Sequence, residues 1–356
     1  MDVLYSFDIF SYEKYGGISR YFVELQKNLN NIKSDQEKYT ISPGIHINEY
    51  TNNGIKINNF KGRTKFTNII NANYEKYLLS KSSKIIYHKT YYSNYNLLNN
   101  NPKIITIYDL IDEKFNANNN TIKKNIINKV NLCKKVDKII AISNSTKNDL
   151  INYYQISPQK IEVVYLGSNL GRDKCFQNTE PLYNFNYLLF VGKRNVYKNF
   201  KYILNIFNNS INIKNNFKLV CFGSQPNKEE INLINKYKLE HNIIFITGDD
   251  NILINLYKNA FALVYPSLYE GFGLPIIEAM KLSCPVFCSN TSSMIEIAEE
   301  NAILFDPYKP ESFISVFDKY SNLEHLNKLK LKAQLYSNKF SWEHCAIQTR
   351  NIYNEI

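Results

Sequence analysis

The stretch that most constrains this 356-residue chain runs from Ala262 to Glu278. Residues 262–265 are a short apolar run that stops at Pro266, the pattern of a buried strand. A turn carrying Gly271 and Gly273 follows, and Pro275 then opens an apolar segment that reaches Leu282. Proline suits the first turn of a helix, where its missing N–H would have had no partner. This order of strand, glycine turn and helix puts Glu270 before the helix mouth and Glu278 about one turn inside it. Between them, Phe272, Gly273 and Leu274 offer backbone N–H groups at the positive end of a helix, where anions bind. A carboxylate on each side of a phosphate cradle suits a ligand that is anionic in the middle and hydroxylated at both ends. A nucleotide-sugar has that form.

Strand and helix signals alternate through both halves of the chain, which implies two doubly wound α/β domains. Residues 3–9 read as the first strand and Gly16–Gly17 as the turn after it. Tyr21, Phe22, Leu25 and Leu29 then share one face of a helix. Such a turn brings backbone close to a phosphate, so Gly16 and Gly17 are candidate site residues, with Arg20 just beyond them. Strands at 85–88 and 103–108 lead into His88 and Asp109. A polar side chain at the carboxyl end of a parallel strand faces the ligand crevice in α/β proteins. His88 is expected to be either an acceptor or sugar contact or a structural hydrogen-bonder, and Asp109 a polar group at the acceptor hydroxyl. Residues 62–81 carry Phe66, Ile69, Ile70, Tyr74, Tyr77 and Leu78 at helical spacing and read as an amphipathic helix with a solvated polar face. A further helix is expected to start near Thr146, after Ser143.

In the second half a strand at 188–191 leads through a loop to a helix with Phe200, Ile203, Leu204 and Phe207 on one face. Arg194 and Lys198 flank that loop, four positions apart. An arginine fork and a compact ammonium there would neutralise a diphosphate from both sides, with Lys193 in reserve. Fixed cations stabilise the charge growing on a departing phosphate without a metal. Asp249 and Asp250 read as helix caps in preference to a metal-binding diacid.

Six cysteines without a Cys-x-x-Cys pair read as buried thiols in a reducing compartment, and five histidines show no ligand spacing. No metal and no cofactor are expected. The net charge of +11 comes from lysines dispersed among Asn and Ile, a texture that attracts anionic lipid heads or nucleotides. No basic block or nucleic-acid motif accompanies it, so nucleic acid is not an expected partner. Neither a membrane-spanning run nor a secretion signal is expected. An NAD-linked dehydrogenase is excluded by the lack of a Gly-x-Gly-x-x-Gly turn after a strand.

The run Glu270-Gly271-Phe272-Gly273-Leu274-Pro275, with Glu278 eight positions after Glu270, resembles the signature of retaining glycosyltransferases of the GT-B fold, family 4, also called glycosyl transferases group 1. Residues 15–22 are similar to the first loop of that family, which approaches the donor diphosphate and the acceptor across an interdomain cleft. The resemblance implies that Glu278 holds the donor ribose and Glu270 the hydroxyls of the transferred sugar. The amides of Phe272, Gly273 and Leu274 would line sugar and diphosphate, Arg194 and Lys198 would hold the diphosphate, and Gly248 and Leu253 would flank the base. Where many relatives carry His-Asp, this chain has Tyr108–Asp109, and tyrosine cannot carry a proton near neutral pH as imidazole does.

The implied architecture is α/β GT-B. It has an acceptor-side Rossmann-like domain at 1–170, a linker at 171–186, a donor domain at 187–338 and a last helix at 339–356 returning to the first domain. The implied reaction is hexosyl transfer with retention from a nucleotide-diphospho-sugar, GDP-mannose being favoured, to a glycan or lipid-linked glycan in bacterial surface polysaccharide synthesis. The implied setting is the cytoplasm, with room for peripheral contact at the inner face of the membrane. Two alternatives stay open: a sugar-nucleotide epimerase of the same fold and a non-catalytic basic binding module.

Overall fold

The computed structural model describes residues 1–97, 99–171 and 180–356. They form two units, Met1–Gly167 with Ser341–Ile356 and Ser168–Phe340. The expected linker at 171–186 includes residues 172–179, which lie outside the described residues, as does Cys175.

In the first unit the strands are β1 (Asp2–Tyr5), β2 (Lys38–Ile41), the short pair β3 (Ile45–His46) and β4 (Ile55–Lys56), β5 (Ile85–Lys89), β6 (Lys103–Ile107), β7 (Lys138–Ala141) and β8 (Ile161–Val163). All but β3 and β4 make one parallel sheet in the order β2-β1-β5-β6-β7-β8. Its helices are α1 (Asp8–Tyr12), α2 (Gly17–Ile32), α3 (Arg63–Ser80), α4 (Ile111–Phe115), α5 (Asn120–Lys135) and α6 (Asn144–Tyr154). A parallel strand is covered on both faces, and β6 accordingly buries all five of its residues. The helix expected near Thr146 begins earlier, because the Ser143 hydroxyl accepts from Thr146 N at 3.0 Å and caps α6.

The first strand ends at Tyr5 instead of continuing to residue 9. Asp8 opens α1 and turns its carboxylate inward onto Lys89 Nζ at 2.6 Å, with both side chains at most 1% exposed. Ser6 and Ser93 hydroxyls, each at 2.6 Å, donate to the same carboxylate. Beside it Glu75 accepts from Phe7 N at 2.7 Å and from Tyr87 Oη at 2.6 Å, and burial raises its carboxyl to about 7. The amphipathic helix expected over 62–81 forms as α3 with its faces reversed. Arg63, Thr67, Asn68, Asn71 and Glu75 are buried, while Phe66, Ile69, Ile70, Tyr74 and Tyr77 are exposed.

The second unit holds β9 (Tyr187–Val191), β10 (Lys218–Phe222), β11 (Ile243–Ile246), β12 (Ala262–Tyr265), β13 (Val286–Ser289) and β14 (Ile303–Phe305), all parallel in the order β11-β10-β9-β12-β13-β14. Around it lie α7 (Phe200–Asn209), α8 (Ile211–Asn216), α9 (Lys228–Lys236), α10 (Asp250–Asn259), α11 (Leu274–Lys281), α12 (Ser292–Ala298), α13 (Pro310–Tyr320) and α14 (Leu323–Ser337). Phe200, Ile203, Leu204 and Phe207 of α7 enter a core with Phe190, Cys221, Val264, Phe287 and Phe313. The last helix, α15 (Trp342–Asn354), belongs to the first unit, where Arg350 pairs with Glu37 at 2.8 Å and Tyr353 reaches His88. Cys133, Cys221, Cys284, Cys288 and Cys345 are buried free thiols, and burial pushes those of Cys133, Cys284 and Cys345 up to about 12.

Replacing Lys89 by Met leaves the Asp8 carboxylate buried without its cation, and loss of a buried partner costs about 3–5 kcal/mol. Urea unfolding should show that loss for Lys89→Met and a partial recovery for Lys89→Met with Asp8→Leu. An unchanged midpoint in the single variant would contradict the pairing.

Candidate active site

In the second unit the loop after β9 winds through a single turn at residues 196–198, and the left-handed Asn199 (φ 55°) then starts α7. Leu268 N donates to Tyr197 O at 2.7 Å and staples this turn to the loop after β12. The staple brings Lys198 Nζ to 2.6 Å from Glu270 Oε1 and 2.9 Å from Tyr265 Oη. The lysine side chain is 13% exposed and the glutamate 9%. Among the described residues, two of the three ammonium N–H donors have partners.

The Glu270 loop is pinned from α12. Ser292 Oγ accepts from Glu270 N at 3.0 Å, while Ser293 Oγ donates to the carbonyls of Glu270 and Phe272. Gly273 has φ 106°, a left-handed conformation that favours glycine, and it caps α11, with Pro275 in the first turn. Phe272 is buried against Phe340, so the side chain anchors the loop while the first-turn amides of Gly273 and Leu274 face the helix mouth. Glu278, one turn on, accepts from Tyr257 Oη at 3.2 Å. Lys198, Glu270, the Phe272-Gly273-Leu274 turn and Glu278 therefore belong to one wall of the second unit, at the carboxyl ends of β9 and β12. Asp249 caps α10 through Asn251 N and Ile252 N, and Leu253 is buried on the same helix, five residues after Gly248.

Arg194 departs from expectation. Its guanidinium forks onto Glu230 (Nε–Oε1 2.8 Å, Nη2–Oε2 3.2 Å), donates to Gln225 O and lies over Phe245, and its side chain is 3% exposed. Glu230 also closes the capping box of α9, so this arginine ties a helix start to the sheet and is not presented as a free cation. Lys193, next to it, is exposed.

Of the two roles expected of His88, the structure supports the structural one, against a substrate contact. The ring is fully buried, its Nδ1 lies 2.6 Å from Tyr353 Oη and its Nε2 3.0 Å from Thr106 Oγ1, and burial lowers its pKa to about 3. A neutral ring with both nitrogens engaged cannot also serve a substrate. Asp109 accepts from Ile111 N at 3.0 Å, its backbone carbonyl receives Lys129 Nζ, and burial raises its carboxyl above the usual range. Tyr108 is buried, and its hydroxyl has no hydrogen-bond partner among the described residues.

The first unit also has a cavity of about 650 Å³ at the carboxyl ends of β1 and β5, lined by Ile9, Tyr12, Glu13, Tyr91, Tyr92 and Tyr95 together with Asn94, Asn125, Asn128 and Lys124. Tyr91 and Tyr92 stack at 4.6 Å, and Tyr12 meets Tyr91 at 5.5 Å. Glu13 reaches from this cavity to the start of α2, where its carboxylate accepts from Ser19 N at 3.4 Å and crowds the Cα of Gly16. Gly17 is open on that side. These tyrosines and Glu13 were not singled out from the sequence. The adjacent Tyr91–Tyr92 pair after a strand was the available signal, but only the packing of α1 and the loop after β5 shows that the rings share a wall.

Two parallel six-stranded α/β units with this wall define a GT-B fold. The Anabaena protein HepE, solved with UDP-glucose, superposes with a TM-score of 0.77 at 13% identity over 100% of both chains. Sucrose-phosphate synthase from Thermosynechococcus elongatus superposes at 0.76 with 17% identity, over 99% of this chain and 98% of that one. The family model for glycosyl transferases group 1 matches residues 172–341, and that for glycosyltransferase family 4 matches residues 83–172. The chain belongs to the group 1 glycosyltransferases. Among curated relatives, an uncharacterized glycosyltransferase of Methanocaldococcus jannaschii is 28% identical over 236 residues, 61% of this chain and 59% of that protein. The Escherichia coli O-antigen chain mannosyltransferase B is 36% identical over 105 residues, 29% of this chain and 28% of that protein. The Escherichia coli serotype-specific mannosyltransferase WbdA is 27% identical over 237 residues, 62% of this chain and 29% of that protein. The chain thus spans less than two thirds of each of these relatives.

Two outcomes check the corrections. The folded protein keeps His88 neutral down to about pH 3, whereas the ordinary imidazole takes its proton near 6.5. Protonation therefore favours the unfolded chain as pH falls through that window, and the stability held by the neutral ring is complete above it. Unfolding free energy measured against pH should fall less steeply across this range for His88→Gln than for the parent. Arg194→Ala should lower stability by roughly 2 kcal/mol in urea unfolding, since charged hydrogen bonds to Glu230 are lost.

Proposed function

We propose that the chain moves a hexosyl group from a nucleotide-diphospho-sugar to a hydroxyl of a glycan or lipid-linked glycan, with retained anomeric configuration and without a metal. The observation that carries this reading is the 2.6 Å contact of Lys198 with Glu270 beside the mouth of α11, with Glu278 one turn inside. In this reading Glu278 takes the ribose hydroxyls, Glu270 the hydroxyls of the transferred sugar, and the α11 amides face the diphosphate. Gly248 and Leu253 flank the base.

Lys198 and the exposed Lys193 hold the leaving diphosphate. As the bond from the anomeric carbon to phosphate oxygen breaks, negative charge grows on that phosphate, and fixed cations lower the barrier. The same oxygen accepts the proton of the attacking hydroxyl. The new bond then forms on the face the nucleotide leaves, which retains configuration. The tyrosine-lined cavity of the first unit receives the acceptor glycan, its ring faces covering the apolar faces of sugar rings and its amides and carboxylate their hydroxyls. Mannose is the proposed sugar, because relatives include proteins named O-antigen chain mannosyltransferases, and GDP-mannose is the first donor to test.

Incubation with a panel of nucleotide-sugars in the presence of a chelator, with and without glycan acceptor, should release nucleotide diphosphate from one donor. Lys198→Ala and Glu278→Ala should each lower kcat/KM by about 100-fold or more. Lys193→Ala should weaken donor binding without a change in stability. Near-normal turnover in both of the first two variants would overturn the site.

A further inference from the structure

Three charged side chains of the first unit are fully buried: Asp8 at the start of α1, Glu75 within α3 and Lys89 at the end of β5. Two carboxylates and one ammonium leave this set one cation short. Among the described residues no second lysine or arginine pairs with either acid. A buried charge without a partner is costly, so a proton supplies the missing positive charge. Lys89 Nζ lies 2.6 Å from Asp8 Oδ2, which leaves the proton to Glu75. Burial and the charge of Asp8 raise that carboxyl to about 7.

The groups that face Glu75 are Asp8 from α1 and Tyr87 and Lys89 from β5. Tyr12, near Asp8 on α1, and Tyr87 are both raised above the ordinary phenol value by burial. His46, on the β3 strand that α3 also covers, is held below its ordinary 6.5 by burial. Of these groups, Glu75 is the one that changes charge near pH 7.

Two walls of the tyrosine-lined cavity are mounted on this set. The first is α1, which carries Ile9 and Tyr12. Phe7 N, at its start, donates to Glu75 at 2.7 Å. The second is the loop after β5, which carries Tyr91, Tyr92 and Tyr95. Its Ser93 hydroxyl donates to Asp8 at 2.6 Å and accepts from Lys89 Nζ at 2.8 Å. Lys89 Nζ also reaches Tyr95 O at 3.4 Å, and Asn96 Nδ2 donates to Glu75 at 3.4 Å. When Glu75 releases its proton to solvent, a net negative charge is left where water does not reach. Both carboxylates then compete for one ammonium, which is drawn toward Tyr87 and away from Tyr95 O. The 2.6 Å contact of Glu75 with Tyr87 Oη survives in either state, since a hydroxyl donates to a carboxylate and accepts from a carboxyl.

We propose that Glu75 is a positioning residue for the cavity: its proton keeps both walls in place, and release of that proton as pH rises loosens them and weakens acceptor binding. The effect on the acceptor rests on the transfer reading above, whereas the response of the walls does not. Hydrogen exchange of the full chain at pH 6 and pH 8, without donor or acceptor and corrected for intrinsic amide rates, tests the walls. About nine tenths of the molecules carry the proton at the lower pH and about one tenth at the higher. Corrected exchange at residues 7–9 and 93–96 should rise roughly fivefold or more, while residues 104–107 of β6 stay level. Glu75→Gln keeps both bonds without a charge and should exchange alike at the two pH values. The folded carboxyl takes its proton near 7 and the unfolded one near 4.5, so its stabilisation is complete below 4.5 and lost as pH rises to about 7. The parent should therefore lose unfolding free energy across that span relative to Glu75→Gln. With a donor that supports turnover, acceptor KM should rise from pH 6 to pH 8 in the parent and stay level in Glu75→Gln. Level exchange at both segments in the parent would overturn the proposal, as would an acceptor KM that follows pH equally in the two proteins. Should no donor be turned over, the transfer reading fails, and the exchange of the two walls still decides this one.

Discussion

The Lys198–Glu270 contact depends on one backbone hydrogen bond, from Leu268 N to Tyr197 O, which joins the loops after β9 and β12. These two strands are neighbours in the parallel sheet, so their carboxyl ends emerge side by side. The loops still need a fixed relation before an ammonium and a carboxylate can meet. Left-handed backbone at Asn199 and Gly273 reverses the chain at the starts of α7 and α11, and the Ser292 and Ser293 hydroxyls hold the carboxylate loop from the next helix. With these supports in place, the Lys198 ammonium meets the Glu270 carboxylate at 2.6 Å.

The first unit is organised around buried charge. Asp8, Lys89 and Glu75 are sealed between α1, β5 and α3, and the seryl and tyrosyl hydroxyls around them satisfy the oxygens. Such a network costs desolvation and is tolerated only when its members are paired. It has a consequence at the surface. Once the polar side of α3 is committed to this interior, the apolar side has nowhere to go but outward.

Most of the architecture was legible along the chain. The runs at 85–88, 103–108 and 188–191 became strands within a residue or two, because parallel strands are buried on both faces and read as continuous apolar segments. Cys221 in β10 and Cys288 in β13 are buried thiols. The wall formed by Lys198, Glu270 and Glu278 was also legible, since glycine and proline mark the turn and helix start. The short first strand and the exposed stripe of α3 were not. A local pattern reports which residues share a helix face but says nothing of which face finds a partner.

By itself, then, the sequence determined the alternation of strands and helices, the positions of the glycine turns and the acids that flank the α11 mouth, all of which are set by contacts within about ten residues along the chain. The tertiary structure alone decided the fate of the charged side chains. Arg194 turned inward because Glu230, on another helix, offers a fork-shaped partner. His88 became a neutral strut because Tyr353, from the far end of the chain, closes over it. A charge settles where its partner lies, and these partners come together only when the sheet is assembled.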